Sequence, residues 1–485
     1  MTLAIWTILI PLATSLLCTT SQAWPRIQQV ISFVGAFCLL FCAIALLNQV
    51  TVEGTVSTIA GNWPLPFGIE ISADPLGSGL VFVAALMLTI AVLWQKSDAD
   101  RAAPSTMLQP LMHGLVAGCS GAFLTADLFN LYVWFEVALV CSIGLLAQGG
   151  TLRHLDAAFK YFALNLVGTL VLLSAVALLY AATGHLNFTA LGEAATRTDP
   201  AILLPLIGIL LLAFLIKAAA FPFFAWLPVS YHTLPAPVLA LFSALLSKIG
   251  ICALLRTVNG IFYPIPTPLL GMLSVIALLS MVTGVLGASY HWDMRRILAF
   301  HSISQAGYMV LAIALASQAG TAAAIFFALH HSLVKAGLFL CAALIFREAG
   351  HYDLRRIGGM YAAKPGLAVS FMLLALSLVG VPPFSGFWGK YLIVKESIAQ
   401  GEYLWAGVAL AVGALTLYSM LKIWLEAFWK PHPDKNWCRP AAQVSPTAYA
   451  GLGALILLTL WMGLFPEALM VFVSDASLRL QGGLP

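Results

Sequence analysis

Seven ionisable side chains stand inside long apolar stretches of this chain. Glu136 sits in Leu131-Tyr-Val-Trp-Phe-Glu-Val-Ala-Leu139, and Lys217 is the one charge between Ala201 and Tyr231. Lys248 lies deep in a further apolar run beside Ser247, and Lys390 follows Gly380-Val-Pro-Pro-Phe-Ser-Gly386. His331 and Lys335 are four apart and so share a helix face. His301, with Ser302, Ser304 and Gln305, places polar groups at the start of another run, between Lys248 and His331 in the chain. Carboxylate, amine and imidazole groups all bind protons reversibly, and burial or a charged neighbour tunes their affinity. The pattern therefore points to proton movement, with polar helix–helix contacts as the plainer alternative. No catalytic residue is expected.

Other candidates carry less. Asp127 reads as an interfacial helix cap, Lys422 and Glu426, four apart, as a surface-level ion pair, and His113 as a packed core histidine. Eight cysteines include no Cys-x-x-Cys and no zinc or iron–sulfur spacing. Cys38 and Cys42, on one helix face, read as buried small hydrophobes. Two adjacent histidines, His330 and His331, point in different directions and make a poor metal pair, so no metal site is expected. Nucleotide-binding signatures such as G-x-x-x-x-G-K-[ST] and G-x-G-x-x-G are absent, as is H-E-x-x-H. No cofactor and no nucleotide partner are expected, so the energy source must be an ion gradient or another subunit.

The elements that hold these residues follow from composition. Of 485 residues, 61% are hydrophobic and 9% charged, and the mean hydropathy is +0.96. Soluble domains carry about 25% charge. The apolar runs are continuous, which predicts an all-α polytopic membrane protein rather than a β-barrel. A net charge of +4 is too small for a nucleic-acid footprint. Fourteen spans are predicted near 3–19, 28–48, 75–95, 107–125, 128–148, 159–183, 201–219, 236–256, 266–288, 297–316, 320–345, 365–399 (broken), 404–428 and 448–473. Pro222 and Pro228 break span seven, and Pro382 and Pro383 break span twelve. The two broken spans lie five apart, and an odd offset makes two repeats inverted in the membrane. Discontinuous helices of that kind mark transport pathways. The predicted units are residues 1–106, a first repeat 107–257, an inverted second repeat 266–428, and 448–485.

Orientation follows from Lys and Arg. The odd-numbered connections hold fourteen of them, including Arg101, Lys435 and Arg439; the even-numbered connections and the tail hold four, and five lie inside spans. Odd connections are thus expected in the cytoplasm and both termini outside, in a bacterial-type cytoplasmic membrane. The run Thr2–Thr19 lacks a basic leader and reads as a first span, not a signal peptide. The connections 49–74, 184–200 and 429–447 are too short to fold alone.

Five segments together resemble a known family: Asp127-Leu-Phe-Asn-Leu-Tyr-Val-Trp-Phe-Glu136, Lys217 to Pro228, Arg295 to Gly307, His331-Ser-Leu-Val-Lys335 and Gly386-Phe-Trp-Gly-Lys390. They resemble the antiporter-like subunits of respiratory complex I and of Mrp-type multisubunit cation/proton antiporters. The resemblance runs from span three to span thirteen. The phrase before Glu136, and an end just after span fourteen, bring it nearest to the D-subunit branch. It implies two inverted five-helix units and a polar axis across the membrane. It further implies that Glu136 and Lys217 form an ion pair, that Lys248 connects the halves, that His331 and Lys335 continue the axis and that Lys390 ends it. His330 and His301 depart from the residues common in relatives and leave the proton route around them open.

The sequence therefore reads as a proton-translocating membrane subunit of a Na⁺ or K⁺/proton antiporter, a secondary transporter and not an enzyme. Its expected partners are other membrane subunits, the lipid bilayer, protons and Na⁺ or K⁺. A redox-driven proton pump of complex I or of a membrane-bound hydrogenase is the second reading. A transport-inactive scaffold is the third, and the retained Glu136, Lys217 and Lys390 argue against it.

Overall fold

The computed structural model describes residues 2–61, 63, 68–98, 105–434 and 446–482. Arg101, Lys435, Cys438 and Arg439 lie outside the described residues. The chain opens with α1 (Leu3–Thr20) and α2 (Pro25–Glu53). A β-hairpin follows, β1 (Val56–Ala60) against β2 (Ile69–Ala73), antiparallel with Val56 opposite Ala73. The segment was expected to be a plain connection. Its β-branched run, Val-Ser-Thr-Ile facing Ile-Glu-Ile-Ser, is what pairs.

The first half continues with α3 (Pro75–Asp98), α4 (Leu108–Leu124), α5 (Leu128–Ala147), α6 (Leu152–Thr183) and the short α7 (Phe188–Ala195). Next come α8 (Pro200–Lys217), α9 (Trp226–Tyr231) and α10 (Ala236–Arg256). The second half has α11 (Thr267–Tyr290), α12 (Met294–Ala314), α13 (Gln318–Ala349), α14 (Met360–Ala363), α15 (Pro365–Val379), α16 (Ser385–Ala399) and α17 (Tyr403–Ile423). α18 (Pro446–Leu464) and α19 (Pro466–Gln481) close it. Among the described residues, twelve helices are long and apolar enough to cross a membrane. The 17-residue α4 and the broken pair α15–α16 make up the fourteen predicted spans.

Burial locates the core. An 18-residue stretch running through α10 is wholly buried, and 94% of the matching stretches of α12 and α13 are buried, against 33% for α1 and α2. The three central helices carry Lys248, His301, His330, His331 and Lys335. The central helices thus hold these ionisable groups away from lipid, as a low-dielectric surround demands.

Both predicted breaks are present, but Pro228 lies inside α9, within the first turn where a missing N–H costs no helix bond, so the first break falls at Pro222 and not at Pro228. α8 stops at Lys217, and Ala219 turns into the left-handed region at φ 59° before α9 begins at Trp226. A Cβ there is disfavoured by about 1–2 kcal/mol, so packing must enforce the turn. Gly250 of α10 admits it: a Cβ on Gly250 would stand 2.5 Å from the Ala218 nitrogen. Trp226 donates its indole N–H to the Ile216 carbonyl at 3.0 Å, which ties α9 back to α8. The second break runs from Gly380, at φ 88°, to Ser385.

Three expectations need correction. Span fourteen does not run to 473: α18 ends at Leu464, because Pro466 has no N–H to continue it, and α19 turns back to pack on α13 and α3. Lys422 and Glu426 do not pair. Lys422 donates to the carbonyls of Ser289 and His291, at the end of α11, whereas Glu426 takes Lys430 at 2.9 Å. A cation at a helix C-terminus meets the negative end of its dipole, which outcompetes an exposed i, i+4 pair. Cys38 is exposed and Cys42 half-buried, since the outer face of α2 lies at the protein's periphery.

Candidate functional site

α5, α6 and α8 build the first group. Asp127 caps α5 by accepting from the Asn130 N–H at 2.8 Å, which fixes the start of the helix and hence the position of Glu136. Glu136 is half-buried and accepts a hydrogen bond from the Thr169 hydroxyl at 2.7 Å. Lys217 donates to the same hydroxyl at 2.9 Å and to the Asn165 carbonyl at 3.3 Å. The implied Glu136–Lys217 pair is therefore not in direct contact; no N–O distance within 4.0 Å joins them, and Thr169 stands between. Gly168 makes the room, as its missing Cβ would lie 2.7 Å from Ile216 and 3.7 Å from the Lys217 Cε. The Lys217 ammonium also lies 5.5 Å from the centre of the Phe135 ring. A cavity of about 20 Å³, room for about one water, opens among Lys217, Asn165, Tyr161, Phe135, Leu246 and Ile249. It reaches the residues that flank Lys248 on α10.

Lys248 is fully buried and donates to the Ser243 carbonyl at 2.7 Å. Its helix packs on α13, which carries His330, His331 and Lys335, and the Ser332 hydroxyl of α13 donates to the Ala244 carbonyl of α10 at 2.9 Å. Beyond it the polar groups lack partners. Both ring nitrogens of His331, the Lys335 ammonium, the His301 Nδ1 and both ends of the Gln305 amide are buried without a hydrogen-bond partner in the protein. Native proteins leave very few such groups. Their convergence on the fully buried faces of α12 and α13 is what a hydrated polar passage needs.

His301 bonds across to the Ser419 hydroxyl through Nε2. His330 faces the second break: its Nδ1 meets the Ser385 hydroxyl at 2.8 Å, which meets the Ser377 hydroxyl at 2.9 Å. Gly386 permits this approach, because a Cβ there would collide with the Ser377 carbonyl. Lys390 donates to the carbonyls of Leu378 and Val379, at 3.2 and 2.8 Å. These are the last carbonyls of α15, where the helix dipole favours a cation. The ammonium lies 4.8 Å from the Tyr308 ring centre and lines a 320 Å³ cavity between α16 and α17. The mainly apolar walls of that cavity include Phe387, Val394 and Leu417.

Of the seven singled-out residues, Glu136 and Lys217 share Thr169, and the other five lie on α10, α12, α13 and α16, which pack on one another. Thr169, Asn165, Tyr308 and Ser385 were missed. Neutral hydroxyls and amides are ordinary in membrane helices, so charge-counting passes over them. The four-residue spacing of Asn165 and Thr169 on α6 was the available signal. His113, on α4, bonds to Ser32 of α2 at 3.0 Å.

A sequence profile described as "NADH:quinone oxidoreductase/Mrp antiporter, TM" matches residues 125–416. The D subunit of the Na⁺/H⁺ antiporter of Alkalihalophilus pseudofirmus is 38% identical over 404 residues, 83% of this chain and 82% of that one. The chain belongs to the family of Na⁺/H⁺ antiporter D subunits. The relative of the same name from Bacillus subtilis is 32% identical and extends the match to 97% of this chain and 95% of that one. A chain of the Mrp complex from a Dietzia species superposes with a TM-score of 0.91 at 29% identity, covering 99% of this chain and 98% of its own. A chain of respiratory complex I from Thermus thermophilus gives 0.79 at 25% identity, covering 97% and 99%. Membership of this family makes the chain a multi-pass membrane protein and a transporter component of a larger complex, not an enzyme.

Proposed function

We propose that the chain is the proton-translocating subunit of a multisubunit Na⁺ or K⁺/proton antiporter of the cytoplasmic membrane, with both termini outside. The observation that supports this reading is the gathering of titratable groups on mutually packed helices, with Lys217 at the end of one broken helix and Lys390 donating to the last carbonyls of the other. Residues 107–257 and 266–428 act as two inverted repeats, each with one break. Water enters at the breaks, where backbone carbonyls are free of helix bonding.

In the first repeat the Thr169 hydroxyl accepts a proton from the Lys217 ammonium while giving its own to the Glu136 carboxylate. One proton enters and one leaves, so the hydroxyl is unchanged. Neutral Lys217 then takes its next proton through the water-sized cavity from the side of Lys248. In the second repeat, His331, Lys335, His301 and Gln305 hold water, and His330 with Ser385 joins that water to Lys390.

The test is Lys390→Ala. The complex is expected to assemble, and cation-driven proton exchange in everted vesicles is expected to vanish. Normal exchange by the assembled variant would refute the role of the axis.

A further inference from the structure

α9 packs against both α6 and α12. Tyr161 of α6 meets Trp226 at the start of α9 edge to face, and His232 follows α9. The first turns of α6 and α12 carry Arg153 on the former and Arg295 and Arg296 on the latter, cations where the helix dipole opposes them. Arg153 and Arg296 are exposed, and neither makes an ion pair within 4.0 Å among the described residues.

The carboxylates nearby are committed. Asp156 holds Lys160 at 2.6 Å, and Asp293 caps α12 by accepting from the N–H groups of Arg295 and Arg296. Arg295 is stacked on Tyr352 at 3.8 Å, and its Nε is buried without a hydrogen-bond partner. Of the other cations expected on the same side of the membrane, Arg355 pairs with Asp353, Lys364 with Glu348 and Lys430 with Glu426, while Arg26 and Arg356 have no ion pair within 4.0 Å among the described residues. Partial burial holds His232 below its ordinary proton affinity; its hydrogen bond to the Pro228 carbonyl opposes this, and the charges of Arg153, Arg295 and Arg296 add to the lowering. Arg153, His232 and Arg296 thus have no ion pair within 4.0 Å among the described residues, whereas Arg295 has the Asp293 carboxylate at 3.9 Å.

The flanks are apolar. Leu152 and Phe159 on α6 are 86% and 68% exposed, and Tyr290 at the end of α11 is 79% exposed. An amphipathic ring such as that of Tyr290 sits at headgroup level.

We propose that Arg153, His232, Arg295 and Arg296 form a headgroup site for an anionic phospholipid. Charge complementarity selects the phosphate, and the exposed faces of α6 and α11 receive the acyl chains. Basic pockets between membrane helices bind such headgroups, and the anionic leaflet supplies them. The occupied site would clamp α9, and with it the mouth of the break beside Lys217.

The test uses the assembled complex in nanodiscs of phosphatidylcholine with a trace of pyrene-labelled phosphatidylglycerol. Each surface cation contributes about fivefold to such binding. The double variant Arg153→Gln/Arg296→Gln is expected to bind the labelled lipid about 25-fold more weakly, and Arg355→Gln like the wild type. Equal binding by the double variant would overturn the site. Displacement of the lipid by millimolar inorganic phosphate would overturn its assignment to a lipid. A crosslink from position 153 or 296 to a partner subunit in native membranes would overturn it too, in favour of an acidic protein segment. Wild-type complex gives a measure that needs no variant: raising the salt must release the labelled lipid, and retention unchanged by salt would count against the proposal. None of these readouts involves transport, so their failure leaves the antiport reading standing.

Discussion

Replacing Thr169 with valine removes one oxygen from the first group and keeps its shape. That oxygen lies 2.7 Å from the Glu136 carboxylate and 2.9 Å from the Lys217 ammonium, so two charge-assisted hydrogen bonds are lost. Bonds to charged groups contribute about 1.5–3 kcal/mol each. With about 1.36 kcal/mol per factor of ten in rate, losing one at the proton-transfer step predicts exchange slowed about 10- to 150-fold. A hydroxyl that only tethers α5, α6 and α8 is weaker: interhelical hydrogen bonds in membranes average about 0.6 kcal/mol, equivalent to about threefold. The two accounts therefore differ by a measurable margin. The assay is cation-driven dissipation of a pH gradient in everted vesicles, with the assembled complex quantified on native gels. Thr169→Ser restores the hydroxyl and is expected to recover most of the rate. If Thr169→Val exchanges within about threefold of the wild type, or if serine fails to rescue it, the hydroxyl does not relay protons.

Two further outcomes are expected. The double variant Glu136→Gln/Lys217→Met replaces both charges by neutral groups of similar size and leaves neither one stranded, so it is expected to assemble but not transport; antiport by it would make the group purely structural. A cysteine placed at Asp353 of a cysteine-free background is expected to resist membrane-impermeant reagents in intact cells, and labelling from outside would invert the assigned topology.

The spans were legible because a bilayer imposes a simple rule: about 20 apolar residues in a row, with backbone groups satisfied inside each helix. Lys and Arg placement, the two proline breaks and the isolated charges Glu136, Lys217, Lys248 and Lys390 follow from the chain alone, because a charge in an apolar run must be either paired or used. Periodicity could not say which neutral groups complete the site. Thr169 joins Glu136 to Lys217 only because α6 lies between α5 and α8, and Ser385 reaches His330 only because Gly386 lets two backbones approach. The same limit explains the misplaced partners of Lys422. Sequence spacing offered Glu426, while the carbonyls closing α11 come from 131 and 133 residues away in the chain. Local sequence determined which stretches had to cross the membrane, and where the helices had to break. Tertiary packing alone decided what each buried charge touches, since hydrogen bonds act over about 3 Å between helices whose order in space the linear pattern does not contain.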